Sequence, residues 1–162
     1  MEDTLRRIGR LDVTVPPVIA GERAWGYRSR ITLAVGPGRR FAGYHTLGDA
    51  GRVFGLTHCA IAAPGLMQLW PVLQRNLQLL PTDATRVMLR LDRGGARHVV
   101  VNTTGHQAWG NGPRLGAALA AAGEPATVWW HPEAGAARVV DHSGELFQIG
   151  RASCRERVSP RV

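Results

Sequence analysis

Four arginines and one cysteine are the residues of this chain whose types and spacing could do chemistry. Arg28 and Arg30 stand two apart before Ile31-Thr32-Leu33-Ala34-Val35, Arg39 follows a Gly36-Pro37-Gly38 turn, and Arg86 opens a second alternating run. A guanidinium is a rigid fork of donors that matches phosphate oxygens, so this set could hold a nucleic-acid backbone. By charge alone, the same residues would also suit a solvated ribbon. Cys59, single and just before a helix, reads on composition as a small buried hydrophobe. Trp129-Trp130 could stack bases, but successive strand residues face opposite sides, so at least one of the two belongs to the core. Gly110-Asn111-Gly112-Pro113 stands where a phosphate loop would, yet Pro113 removes an amide donor, and the stretch reads as a loop and cap. His131-Pro132-Glu133 lacks the cysteine half of a zinc deaminase signature and reads as a turn. The six histidines show no metal-ligand spacing.

Strands must position the arginines. From Tyr27, Ile31, Leu33 and Val35 fall on one face, and Arg28, Arg30 and Thr32 on the other, one apolar and one basic. Arg39 to Tyr44 reads as the return strand, which would bring Arg28, Arg30, Arg39 and Arg40 close together. Arg86 to Asp92 alternates again, with Val87, Leu89 and Leu91 inward and Arg86, Met88 and Arg90 outward. Gly94-Gly95 turns the chain into a strand over His98 to Asn102. Pro64 starts a helix with Leu66, Leu69, Trp70, Leu73, Leu77 and Leu80 at three- and four-residue spacing, kinked or restarted at Pro71. Asn111 can cap a second helix with Pro113 in its first turn and Gly123 at its end. Strands near Thr127 to Trp130 and Ala137 to Val140 complete the set, after an opening helix end at Asp3 to Ile8. Strands outnumber helices, which predicts an α+β fold of antiparallel sheet and a few packed helices.

The chain has 162 residues, 44% of them hydrophobic, enough for one compact domain with its own core. Its 20 basic residues are all arginine and face 12 acidic ones, a formal net charge of +8. No apolar run is long enough to span a bilayer, and the opening residues lack the apolar segment of a signal peptide. Two cysteines cannot form a disulfide framework, which makes the reducing cytoplasm the expected setting.

Three word-like stretches carry a resemblance: Trp25-Gly26-Tyr27-Arg28-Ser29-Arg30, then Phe41-Ala42-Gly43-Tyr44-His45, then His58-Cys59-Ala60-Ile61-Ala62-Ala63-Pro64. Their order resembles the central region of the RNA uracil-5-methyltransferase family, in which a Trp-Gly-Tyr-Arg-x-Arg strand precedes a Cys-Pro-Ile/Leu segment that opens a helix. Ala60 replaces the usual Pro. The likeness runs from about Thr4 to Gln148 and ends on Leu146-Phe147-Gln148, similar to the family's Phe-x-Gln-x-Asn, with Gly150 in place of the Asn.

The resemblance implies the central α+β domain, residues 1–148, of a larger S-adenosylmethionine-dependent enzyme that methylates uridine, in ribosomal RNA before transfer RNA. It implies that Gln148 touches S-adenosylmethionine and that Cys59 matches the distant fourth ligand of a four-iron four-sulfur cluster, whose other cysteines have no counterpart upstream. Arg28, Arg30, Arg39 and Arg86 would contact RNA. A catalytic cysteine and a glycine-rich cofactor loop have no match, so the chain is expected to be a monomeric fragment inactive by itself. The other reading is a stand-alone basic RNA-binding module.

From Ile149 the residues Ile-Gly-Arg-Ala-Ser-Cys-Arg-Glu-Arg-Val back-translate into a string like a common sequencing adapter. Residues 149–162 are therefore expected to be a non-native tail. They supply three of the eight net positive charges and leave +5 on the rest.

Overall fold

The computed structural model describes residues 2–17, 19, 21, 23–133 and 135–141. Gln148 and the adapter-like stretch 149–162 lie outside them. The described residues form three α-helices, α1 (Glu2–Arg7), α2 (Pro64–Arg75) and α3 (Gly112–Ala121), and seven strands. The strands are β1 (Arg30–Val35), β2 (Ala42–Thr46), β3 (Asp49–Gly55), β4 (Ala84–Leu91), β5 (Arg97–Thr103), β6 (Thr127–Pro132) and β7 (Arg138–Asp141). They make one sheet in the order β3-β2-β1-β4-β5-β6-β7.

Alternation decides which face is buried. Ile31 and Leu33 of β1, Val87 and Leu89 of β4, Val99 and Val101 of β5, and Val128 and Trp130 of β6 all join one core cluster. The helices supply Leu66, Leu69, Trp70 and Leu73 from α2 and Leu115 and Leu119 from α3. Each such side chain taken from water contributes about 1.5–3 kcal/mol, which is why the three- and four-residue spacing of α2 faces the sheet. The buried indoles also satisfy their N–H groups: Trp70 Nε1 donates to Leu56 O at 2.9 Å, Trp109 Nε1 to Leu79 O at 2.8 Å and Trp130 Nε1 to Thr103 Oγ1 at 2.9 Å.

The α+β architecture matches the expectation, and four local features depart from it. First, β5 and β6 run parallel, because α3 lies between them and carries the chain back to the same end of the sheet. Second, β3 carries an Asp and two Gly and has poor strand propensity; it forms because β2 offers it a partner, with Gly43 opposite Gly55 and Tyr44 opposite Phe54. A Cβ on Gly43 would lie 1.7 Å from Phe54 O, so only glycine lets these two strands approach. Third, α2 runs through Pro71 and ends at Arg75, and Leu77–Leu79 form a separate 3-10 turn after Asn76 leaves helical geometry. Fourth, Asn111 sits at the start of α3 without donating or accepting a capping bond; its Oδ1 instead accepts from Arg114 NH1 at 3.5 Å. Gly123, at φ +78°, stops α3 as expected.

Before β1 the chain is thinly packed. α1 buries none of its residues, and Ile8, Leu11, Val13 and Trp25 are exposed. No helix among the described residues is long and apolar enough to cross a membrane.

Candidate nucleic-acid interface

Strand β1 delivers the arginines. Its Arg30 and Thr32 point away from the helices, as the alternation requires. On its β4 side, Arg30 lies directly opposite Arg90. Leu91 N donates to Ser29 O at 2.8 Å, so the odd residues of β1 carry the ladder bonds to β4 and Arg30–Arg90 is a non-hydrogen-bonded pair. Side chains stand closest in such pairs, and like charges directly opposite each other are destabilising unless an anion lies between them.

The two arginines open onto a cleft of about 690 Å³, lined also by Tyr27, Arg28, Thr32 and Tyr44. Among the described residues none of Arg28, Arg30, Arg86 and Arg90 forms an ion pair, whereas Arg97 is tied to Glu124 Oε2 at 3.0 Å and to Gln68 Oε1 at 3.1 Å. Three guanidinium groups without a carboxylate, set around a hollow with two phenols, form a positively charged, aromatic-lined recess.

Tyr44 is held in its neutral form there. Its Oη donates to Cys59 Sγ at 3.9 Å, and burial, helped by that bond and the nearby thiol, pushes its pKa up to about 12 against the opposing pull of Arg28. The phenol therefore stays neutral and presents its ring.

The structure separates the four arginines expected to act together. Arg28 and Arg30 line the cleft. Arg86 shares the outward side of β4 but lies four residues from Arg90, about 13 Å along the strand. Arg39 sits apart from them, in the turn Pro37–Arg39 at the far end of β1, about 17 Å from Arg30 by strand rise. Its NH1 donates to Gln78 O at 3.0 Å and Leu80 O at 2.5 Å, so it clamps the end of the 3-10 turn. The return strand starts later than expected, at Ala42, because Gly38 and Arg39 adopt positive φ and prolong the turn. Arg90 takes the place Arg39 was expected to fill. Its outward orientation was legible from alternation, but its position opposite Arg30 depends on which strands pair.

Cys59 is half-buried and packs against the core, and its N–H donates to Met67 Sδ at 3.3 Å. An iron–sulfur cluster needs four thiolates. Cys59 is the one free cysteine among the described residues, and no group of three His, Cys, Asp or Glu residues there could hold a metal ion. The residues present do not fit the cluster.

Both members of the Trp129-Trp130 pair are buried, so neither offers a face to a base. Trp129 lies opposite the main core and donates from Nε1 to His98 Nδ1 at 3.2 Å. His98 Nε2 lies 3.8 Å from Asp92 Oδ2. A ring nitrogen that accepts from an indole is unprotonated, which makes His98 neutral with its proton on Nε2. Burial lowers its pKa, partly offset by Asp92 and reinforced by Arg90. His131, from the stretch read as a turn, lies in β6 with Nδ1 3.0 Å from Asn102 Nδ2.

No protein-family model and no curated protein matches the sequence. A solved structure does match in fold: the Pyrococcus abyssi tRNA (uracil-54, C5)-methyltransferase in complex with S-adenosyl-L-homocysteine. The TM-score is 0.54 at 14% identity, over 83% of this chain and 33% of that one. The chain thus spans about a third of that protein's length, and what the two share is the α+β fold of this region.

Proposed function

We propose that this chain is the RNA-gripping domain of an S-adenosylmethionine-dependent RNA uracil-5-methyltransferase. The observation that carries the reading is the convergence of Arg28, Arg30 and Arg90 on one tyrosine-lined cleft without an acidic partner among the described residues. The fold it shares with an RNA methyltransferase supports it. Methyl transfer from S-adenosylmethionine to the uracil ring, and the carboxylate and cysteine thiolate it calls for, belong to other parts of the enzyme. This chain's part is to bind and orient the RNA. We assign it no turnover of its own, a cytoplasmic setting and a ribosomal RNA substrate.

The test is RNA binding by the whole chain against salt, with a ribosomal RNA fragment and a transfer RNA side by side. Labelled S-adenosylmethionine in the same tubes reports methyl transfer. Affinity should fall linearly with the logarithm of salt concentration, with a slope of about −2 to −3 for about three phosphate contacts. The ribosomal fragment should bind more tightly, and neither RNA should gain label. No RNA affinity even at low salt refutes the reading. Tighter binding of transfer RNA reverses the substrate assignment, and label in RNA overturns the assignment of no turnover.

A stand-alone RNA-binding module is the second reading. It is favoured by one cleft offering both guanidinium groups for phosphates and the rings of Tyr27 and Tyr44 for bases. DNA flanking the reading frame that encodes no cofactor-binding domain would put it first.

A further inference from the structure

The cleft has a feature beyond its charge. In an antiparallel pair each residue's N–H and C=O point to the same edge, and successive residues alternate. Because Ser29 bonds to β4, Arg30 and Thr32 present their main-chain groups to the opposite edge, toward β2. The β1–β2 ladder stops early. It holds at Ala34–Gly43 and Val35–Ala42 and does not reach Thr32. On the other side, the chain before β1 is closed by a different partner, with Gly26 N donating to Ala60 O, Arg28 N to Ile61 O and Ala63 N to Arg28 O at 2.8–2.9 Å. Between these two seams the β1–β2 register gives Arg30 and Thr32 no opposite residue, and both residues line the cleft with Tyr27 and Tyr44.

We propose that this window takes one unstacked RNA nucleotide, its base edge hydrogen-bonded to the main chain of Thr32 and Arg30. Its ring stacks on Tyr27 or Tyr44, and its flanking phosphates are held by Arg28, Arg30 and Arg90. Every base carries an adjacent donor and acceptor on its Watson–Crick edge, which is what one strand residue's N–H and C=O complement. A duplex has those edges occupied, so the window selects single-stranded RNA. An added peptide strand is the poorer fit, because two free residues between closed seams offer too short a ladder, and the surroundings are cationic. The inference rests on the RNA-gripping reading and adds the form of RNA and the atoms that read it.

Thr32→Pro is the direct test, because it deletes one N–H that points away from β4 and lies past the end of the β1–β2 ladder, where proline costs a strand least. Binding is measured by fluorescence anisotropy of the whole chain with labelled oligouridine and with an RNA duplex of equal length. Wild type should prefer the single strand by about tenfold, and Thr32→Pro should lose most of that preference while duplex affinity and salt slope stay put. Equal binding of the two RNAs by wild type, or an unchanged preference in a folded Thr32→Pro, overturns the proposal while leaving salt-dependent RNA binding intact. If Thr32→Pro fails to fold, an oligomer of N3-methyluridine tested on wild type decides. It lacks the base donor and should bind several-fold more weakly; equal affinity with oligouridine refutes the window. Absence of binding to any RNA at low salt refutes the underlying function instead.

Discussion

The two ends of strand β1 carry the same residue type to opposite purposes. At the Val35 end the backbone is bonded to β2. Ala34 and Val35 pair with β2, Gly36 N donates to Phe41 O at 2.9 Å, and Arg39 clamps two carbonyls on the neighbouring turn. At the Arg30 end the ladder to β2 is missing, and Arg30 faces Arg90 across the strands. One arginine closes the structure while the others leave it open to a ligand. A guanidinium stabilises when carbonyls or carboxylates of the same chain accept from it. Without such acceptors it adds repulsion to the fold and attraction for an external anion, which separates a structural arginine from a binding one by its partners rather than by its type.

That contrast can be broken most severely at the closed end. Gly43→Ala forces a Cβ into Phe54 O and should cost about 3 kcal/mol, read as an early loss of the β2–β3 edge in chemical denaturation. An unchanged denaturation midpoint would show that the strands at this end can part without penalty. Arg39→Ala comes next. It frees two carbonyls and should cost about 1–2 kcal/mol while RNA affinity holds, because the side chain lies far from the cleft. A loss of RNA binding in Arg39→Ala without a loss of stability would put Arg39 back in the interface.

At the open end the signs reverse. Arg30→Gln combined with Arg90→Gln should leave stability unchanged or raise it by a few tenths of a kcal/mol, since it removes a like-charged cross-strand pair. It should also reduce the salt slope of RNA binding by about 2. Anisotropy titrations at several salt concentrations, together with thermal melts, check both halves.

The smallest effect is expected from pH. His98 has its pKa lowered by burial from the ordinary 6.5, so the folded state binds fewer protons than the unfolded one below that value. Stability is then fully present above about pH 6.5 and declines as pH falls toward the folded value. Asp92, whose carboxylate is held down by the Ala96 and Gly94 amides and by His98 against an opposing burial effect, extends the decline below its ordinary 3.8. Melting temperatures from pH 8 to 5 should fall in the wild type and flatten in His98→Gln. At the alkaline end, Tyr44 should cost stability as pH rises through 10 toward 12, and Tyr44→Phe should remove that loss.

Much of this was legible before any coordinates. The alternation of Ile31 and Leu33 against Arg30 and Thr32, the alternation in β4, the spacing along α2, and the glycines at positions 95 and 123 each declare a local conformation. That conformation follows from sterics and from the period of the backbone. Amino-acid order therefore determined most of the elements, their buried faces and the α+β class. It did not determine what those elements would meet. β3 exists because β2 offers it an edge, β5 and β6 are parallel because α3 intervenes, and Arg90 rather than Arg39 joins Arg28 and Arg30 because β4 pairs with β1 on that side. The early end of the β1–β2 ladder, which leaves Arg30 and Thr32 open, is a fact of register. Local periodicity repeats along each strand without saying which residue of one lies opposite which residue of the next, so partnership, and with it the site, was decided only by the tertiary structure.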